Sequence, residues 1–292
     1  MCGRAACVLD PSTYHERVSK AIGSNPKDTE WINKDAYKPS YNISPTSNLP
    51  IVHKKSVAGF YKSAYSLLSE SSLVMDTVCW GVSDFNGKST INNIRLETIS
   101  TKFSRIMRNR CVIFVDGFYE WQKGPTHTSP KKINTPKQTY FICPKQDGIK
   151  KEHPKSQHEL LCMAGLYETK QVDSNTRINC AVITGPSSGT MFDIHERIPC
   201  ILSTPEQISK WLNGDDVDLL PNRQVTNEYL DFRKIGNHVN KAGNDNVNCI
   251  LPQSETKGAI DKFFFKKETK KRRLEFDVVD VDTEQVKRIK VE

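Results

Sequence analysis

The chain begins Met1-Cys2-Gly3-Arg4, and Cys2 has the most distinctive chemistry in the sequence. Methionine aminopeptidase usually removes Met before a small residue, which would leave Cys2 with an α-amine beside its thiol. Reference pKa values of about 7.7–8.0 for the amine and about 8.5 for the thiol give both groups a reactive fraction near neutral pH. Such a pair attacks an ester or amide as a thiolate, or captures an aldehyde and closes a thiazolidine ring. A Cys here is also often part of a disordered terminus, so both interpretations stay open.

Three further polar clusters lie where apolar strands or turns would be expected: residues 92–98, 116–121 and 195–199. Glu120 stands among aromatic residues, an environment that raises a carboxyl pKa and suits proton transfer. It is equally compatible with a carboxylate at a rim, whose aromatic neighbours pack inward. His195 precedes an apolar segment, where a histidine is either structural or an acid/base group.

The elements that must position these residues are mainly strands. Short runs of β-branched and aromatic residues end at turn residues, and they predict strands at residues 111–115, 140–143, 160–166 and 179–184. A helix is predicted to start at Pro11, and another has Thr204 as N-cap, Pro205 at its first position and Gly214 beyond its end. Because strands dominate and do not alternate regularly with helices, we expect an α+β fold with a curved, largely antiparallel sheet.

Composition narrows the class of protein. The 292 residues are 37% hydrophobic, enough for one or two domains. Nine scattered cysteines without a C-x-x-C pair predict neither disulfides nor a zinc site, and we expect no cofactor. No apolar run approaches the roughly 20 residues that span a bilayer, so we expect a soluble intracellular protein without membrane contact. The net charge of +8 fits either an anionic partner such as nucleic acid or a solvated basic surface.

The composition changes after Pro252, which predicts a folded domain at residues 1–252 and a charged, disordered tail at residues 253–292. Residues 257–264 resemble the sliding-clamp binding box, with Ile260 three residues before the paired aromatics Phe263 and Phe264. A last piece of core packing is the alternative.

The tail also carries two patterns of modification and transport. Its basic residues at 266–267 and 270–273 predict nuclear import, so we expect the protein in the nucleus and also in the cytoplasm. Lys290 lies in an aliphatic-Lys-x-Glu pattern, which predicts SUMO attachment and which short tails also match by chance.

Taken together, the motifs resemble the SRAP (SOS response-associated peptidase) family, whose characterised members are abasic-site processing proteins. The resemblance covers residues 1 to about 250 and rests on motifs in this order: residues 1–4, 41–46, 80–81, 93–98, 110–111, 116–121, 164–168 and 195–199. It implies an α+β fold around a barrel-like curved sheet, with a basic groove for single-stranded DNA that leads to the N-terminal Cys. It implies no cofactor, and we expect a monomer.

The resemblance also implies roles for individual residues. Cys2 would form a covalent thiazolidine crosslink with an abasic site, with crosslink reversal and a minor lyase activity as side paths. Glu120 and His195 would move protons, and Asn93 would orient the amine or the sugar. The implied DNA-binding residues are Arg4, Asn42, Trp80 as a stacking face, Arg95, Lys102 and Arg197.

Two other functions stay open at this stage. Cys2 could be the nucleophile of an autocatalytic cysteine peptidase that attacks amides. Alternatively, the chain could be a noncatalytic adaptor that binds single-stranded DNA and is recruited through its tail.

Overall fold

The computed structural model describes residues 2–55, 72–122, 137–145, 159–172, 175–220, 223–241 and 243–254. In these ranges the strands are β1 Ala5–Cys7, β2 Trp31–Ile32, β3 Ser40–Ile43, β4 Asn48–Lys54, β5 Leu73–Trp80, β6 Val82–Ser83, β7 Thr90–Ile91, β8 Asn93–Arg95, β9 Arg110–Val115, β10 Gly117–Trp121, β11 Thr139–Pro144, β12 Leu161–Val172, β13 Asn175–Pro186, β14 Arg197–Pro199 and β15 Leu230–Ile235. The α-helices are α1 Pro11–Ala21, α2 Ile99–Lys102, α3 Thr190–Ile194, α4 Pro205–Asn213 and α5 Arg223–Tyr229.

Five strands close into a barrel. β13, β12, β9, β4 and β5 pair in that order and antiparallel, and a parallel pairing of β5 with β13 closes the ring. Ile113 on β9 lies opposite both Ile51 and Met163, and all three side chains are buried in the core. The predicted α+β fold with a curved, largely antiparallel, barrel-like sheet is therefore confirmed.

A second sheet carries the N-terminus of the chain. Its strand order is β15-β11-β10-β1-β3, so β1 lies between two neighbours and is antiparallel to both. Ala5 pairs with Phe118 of β10 on one side and with Ile43 of β3 on the other. A strand that is hydrogen-bonded on both edges holds the residues just before it, including Cys2, in a defined place.

The two helices that the sequence predicts, α1 and α4, begin at the expected residues. Asp10 caps α1 by accepting hydrogen bonds from the main-chain N–H groups of Ser12 and Thr13. Thr204 caps α4 through the N–H of Gln207, and Gly214 ends that helix in the left-handed conformation at φ 89°. Both helices pack on β9: Tyr14 Oη of α1 donates to the Phe114 carbonyl at 2.8 Å, and Trp211 Nε1 of α4 donates to the Cys111 carbonyl at 2.9 Å.

The Asp116-Gly117 pair, which follows β9, is a corner between the two sheets. Asp116 is the single residue between β9 of the barrel and β10 of the second sheet. It also fastens β1, because its N–H donates to the Ala6 carbonyl at 2.8 Å and its Oδ2 accepts from the Val8 N–H at 2.7 Å. A Cβ on Gly117 would lie 2.5 Å from the Ile142 carbonyl oxygen, so only glycine permits the close approach of β11.

The described residues also bear on cofactors and membranes. No described helix has the length and hydropathy needed to cross a bilayer. Within the described ranges no group of three His, Cys, Asp or Glu side chains could hold a metal ion. All nine cysteines are free thiols.

Several predictions fall outside the described residues. These are the sliding-clamp contact through Ile260, Phe263 and Phe264, the SUMO acceptor Lys290 and the basic import segments. Residues Met1–Ile250 form one compact unit. The division at residue 252 and the disorder of the tail stay predictions.

Asp116 gives a test of how β1 is fastened. Burial raises the pKa of this carboxyl to about 6, above its value of about 3.9 in an unfolded chain. The folded state therefore holds the extra proton between these two pH values, and the contribution of Asp116 to stability is lost as the pH rises from about 4 to about 6. Asp116→Asn keeps an oxygen acceptor for Val8 and removes this loss. We expect the unfolding free energy of the variant, relative to wild type, to increase across that pH range and then stay constant, as measured by urea denaturation.

Asp116→Ala is the matched control, because it leaves the Val8 N–H without an acceptor. It should lower the unfolding free energy by about 1–3 kcal/mol. If the difference between Asp116→Asn and wild type did not change with pH, the carboxyl would not be the titrating group.

Candidate active site around Cys2

Cys2 is held by main-chain and side-chain contacts at the start of β1. The Tyr119 N–H donates to the Arg4 carbonyl at 3.0 Å, which extends the β1–β10 pairing toward Cys2. The Cys2 carbonyl accepts from Nδ2 of Asn93 at 2.6 Å and from Nδ2 of Asn92 at 3.0 Å. The residue is only 1% exposed. The structure therefore contradicts the interpretation of Cys2 as part of a loose terminus.

Asn93 contacts the main-chain carbonyl of Cys2, whereas the sequence predicted a contact with the amine or with the sugar. Its amide nitrogen binds the main-chain carbonyl, while its Oδ1 is buried and has no hydrogen-bond partner among the described residues. β8 is held in place by its parallel pairing with β13, in which Asn93 lies opposite Val182. A buried acceptor beside Cys2 is available to a donor on the amine or on a bound molecule.

Asn92 is a site residue that the sequence reasoning missed, although it stands in the polar cluster that contains Asn93. Its side chain holds Cys2, and its carbonyl accepts from Trp80 Nε1 at 3.0 Å and from the Val182 N–H at 3.1 Å. The only signal in the sequence was the doubled Asn. Both amides reach Cys2 because Asn92 and β8 are held along β13, through the Val182 N–H to the Asn92 carbonyl and the parallel β8–β13 pairing.

Glu120 lies inside β10, opposite Tyr140 of β11, and is 2% exposed. This excludes the alternative of a carboxylate at a solvent-facing rim. Burial, and secondly the charge of Glu120, raises the pKa of the Cys2 thiol well above its usual range. In the chain that begins with Met1, the buried thiol is therefore less acidic than its reference pKa predicts.

His195 directly follows α3 and is half-buried. The main-chain N–H of His195 donates to the Met191 carbonyl at 2.8 Å. Nδ1 of the ring accepts from the main-chain N–H of Arg197 at 3.0 Å, which assigns the ring proton to Nε2 in the neutral imidazole. Gln122 Nε2 donates to the Asp193 carbonyl at 3.2 Å. This hydrogen bond joins the end of β10, the strand that carries Glu120, to α3, the helix that His195 follows.

Arg4 and Asn42 form one unit. Arg4 Nη1 donates to Asn42 Oδ1 at 2.6 Å and to the Val239 carbonyl at 3.3 Å. Asn42 Nδ2 in turn donates to the carbonyls of Asn244 at 2.8 Å and Val239 at 3.3 Å. The structure thus gives Asn42 a role in positioning Arg4, while direct contact of Asn42 with DNA stays a prediction.

The other three residues predicted to bind phosphates, Arg95, Lys102 and Arg197, differ in their contacts with the rest of the protein. Arg197 binds Glu97 with two parallel hydrogen bonds of 2.6 and 2.9 Å, and it also donates to the Thr184 carbonyl. Hydrogen bonds from Arg197 lower the pKa of Glu97 to about 2. Arg95 is exposed and lies opposite Thr184 in the β8–β13 pairing. Lys102 is exposed too, with its ammonium group 5.2 Å from the centre of the Phe85 ring.

The prediction that Trp80 offers a stacking face is wrong. The side chain is fully buried at the end of β5, where it lies opposite Cys180 of β13, and its indole N–H is donated to Asn92. A base cannot reach either face of the ring. In the described ranges the most exposed large aromatic side chains are Phe85, 55% exposed, and Phe192, 65% exposed and three residues before His195.

Comparison with protein families gives one match over most of the chain. The family model described as SOS response associated peptidase (SRAP) matches residues 1–242. Among curated proteins, the "Abasic site processing protein HMCES" of Xenopus tropicalis is 32% identical over 280 residues, with 86% of this chain and 78% of that protein covered. The "Abasic site processing protein YoqW" of Bacillus subtilis is 29% identical over 195 residues, covering 65% of this chain and 73% of that protein.

Solved structures share the fold at lower sequence identity. A crystal structure of a protein from Bacteroides thetaiotaomicron aligns with a TM-score of 0.54 at 16% identity, and covers 86% of this chain and 99% of that one. A protein from Bordetella bronchiseptica also aligns with a TM-score of 0.54 at 16% identity, covering 80% and 100%. These similarities concern the fold alone.

The buried position of Trp80 gives a direct test. Trp80→Phe leaves the Asn92 carbonyl without its indole donor and opens a small cavity, so the unfolding free energy should fall by about 1–3 kcal/mol in urea denaturation. Trp121→Phe is the matched control, because that indole is half-buried and donates to Asn240 near solvent. It should cost less than about 1 kcal/mol. A Trp80→Phe variant with wild-type stability but weaker binding of single-stranded DNA would restore the stacking role.

Proposed function

The chain belongs to the SOS response associated peptidase (SRAP) family, and on that basis we propose that it processes abasic sites in single-stranded DNA through a covalent bond to Cys2. The observation that carries the proposal is the fixed position of Cys2, whose carbonyl is held by two amides beside the buried Glu120. The names of the curated relatives, which describe abasic site processing proteins, support the same substrate.

The proposed reaction needs both groups of Cys2. Removal of Met1 supplies the α-amine, and the open-chain form of an abasic deoxyribose supplies an aldehyde at C1′. The amine adds to C1′, and the carbinolamine takes up one proton and loses water to give an iminium ion. The thiol then adds to C1′ and gives its proton to the group that supplied the first one, so aldehyde and aminothiol yield a thiazolidine and one water. This closure is intramolecular, which favours it over attack by a separate thiol.

Glu120 is the proposed acid/base group. In its protonated form it donates to the hydroxyl that leaves the carbinolamine, and the resulting carboxylate accepts the thiol proton as the S–C1′ bond forms. This second role follows from the raised pKa of Cys2, because a thiol that stays protonated needs a base at the moment of attack. His195 is proposed to protonate the sugar oxygen during ring opening.

The same pKa bears on the peptidase alternative. A cysteine peptidase depends on a thiolate, and reactive cysteines have pKa values below the ordinary one. In the chain that begins with Met1, burial moves the pKa of Cys2 in the opposite direction. Capture of an aldehyde starts from the amine and so tolerates a protonated thiol, which favours this chemistry over attack on amides.

The proposed DNA contacts are cationic. Arg4, Arg95, Lys102 and Arg197 would bind phosphates around the lesion, in keeping with the net charge of +8. An imine that lost the proton next to C1′ would release the 3′ phosphate, which is the proposed minor lyase path. Closure of the thiazolidine removes the imine and therefore competes with cleavage.

Variants of Cys2 test the crosslink. Incubation of the purified protein with single-stranded DNA that contains one abasic site should give a band that stays shifted after heating in denaturing gels. Cys2→Ala removes the thiol and should abolish this band, while Cys2→Ser keeps the amine but should give no heat-stable product. Cys79→Ala is the matched control, because Cys79 is half-buried on β5 and should crosslink like wild type.

Intact mass spectrometry must show that Met1 has been removed in each variant. Absence of the band with processed wild-type protein would refute the proposal. Equal crosslinking by a chain that retains a residue before Cys2 would refute the role of the α-amine.

Glu120→Gln tests the proton-transfer step. The variant keeps the size of the side chain but can neither donate nor accept a proton, so the crosslinking rate at saturating DNA should fall by about 100-fold or more. Glu168→Gln is a control for loss of a buried carboxylate outside the site, and it should slow the reaction much less. A wild-type rate in Glu120→Gln would mean that water or another group moves the protons.

A further inference from the structure

Arg95, Glu97 and Arg197 form a charge cluster at the edge of the site. Arg95 and Glu97 stand two residues apart, and Arg197 reaches Glu97 from β14. The pair is unequally exposed, since the Arg197 side chain is 11% exposed and the Glu97 side chain 52%. The carboxylate is therefore the member of the pair that faces solvent.

The hydrogen bonds of Arg197 show which part of its guanidinium group is available. Nη1 and Nη2 each donate to one oxygen of Glu97, which occupies the end of the group that binds an oxyanion with two bonds. Nη2 also donates to the Thr184 carbonyl. The Nε–H is buried and has no hydrogen-bond partner among the described residues, so the side edge of the group is closed to a ligand from solvent.

A phosphate can therefore form two hydrogen bonds with Arg197 only by replacing the carboxylate. We propose that Glu97 is a latch: it occupies the phosphate-binding end of Arg197 and lowers the affinity for single-stranded DNA until a backbone phosphate displaces it. This inference rests on the proposed function, because it takes DNA as the ligand. The latch makes binding selective for a strand placed well enough to replace both hydrogen bonds at once.

The alternative role of Glu97 is to hold Arg197 in the orientation that binds DNA. The two roles predict opposite results. If Glu97 competes with phosphate, removing its charge strengthens binding. If Glu97 orients Arg197, removing its charge weakens binding.

The test uses the full chain and a single-stranded oligonucleotide with a tetrahydrofuran abasic analogue, which lacks the aldehyde and so reports binding without crosslinking. Glu97→Gln should tighten binding about two- to fivefold in fluorescence anisotropy, in line with the strength of a surface ion pair. The slope of log affinity against log salt should stay within about 0.7 of the wild-type slope, the value for one phosphate contact to a single strand, because Arg197 binds the same phosphate in both proteins.

Two further variants separate the latch from a general effect of charge. Glu206→Gln also removes one exposed carboxylate from an ion pair, that with Lys210 on α4, and should change binding by less than Glu97→Gln does. In an Arg197→Gln background, Glu97→Gln should have no larger effect than Glu206→Gln, because the residue it releases is gone.

If Glu97→Gln bound the analogue as well as wild type or more weakly, while the wild-type protein crosslinked true abasic sites, the latch alone would be overturned. A processed wild-type protein that neither binds the analogue nor crosslinks would overturn the proposed function and the latch together.

Discussion

The position of β1 is the constraint on which the candidate site depends. A chain terminus can act as a reactive group only if the residues behind it are held, because free ends lose their order readily. Here Ala5–Cys7 pair on both edges, and Asp116 adds one hydrogen bond from its main chain and one to its side chain. Asp116 is also the corner between the barrel and the second sheet. The joint between the two sheets therefore also places Cys2.

A short chain of buried hydrogen bonds extends this order to Cys2 itself. Trp80 donates to the Asn92 carbonyl, and the amides of Asn92 and Asn93 hold the Cys2 carbonyl. Burial has a chemical consequence as well as a structural one, since it raises the pKa of the Cys2 thiol in the chain that begins with Met1. In the proposed reaction a thiol of raised pKa loses its proton as its bond to carbon forms, whereas a cysteine peptidase begins from a free thiolate.

The cationic residues around the site are held by different partners. Arg4 is fixed by the Asn42 amide, Arg197 by the Glu97 carboxylate, and Lys102 lies over the Phe85 ring. An amide or a ring orients a cation without neutralising it, whereas a carboxylate also cancels its charge. The availability of these side chains to an anionic strand is thus set by their neighbours and cannot be counted from the net charge alone.

The sequence by itself determined the features that depend on local pattern. It predicted the strand-rich α+β fold, the start of α1, the caps of α4 and the family, because caps, turns and motif spacing are written in neighbouring residues. The roles of Cys2, Asn93, Glu120 and His195 stay predictions. Only the tertiary structure decided which faces are buried and which polar groups pair. It buried Trp80 against β13, joined Arg197 to Glu97 100 residues away, and placed Asn42 under Arg4. These outcomes follow from the closure of the barrel and the register of its strands, which depend on contacts between distant segments that no local pattern encodes.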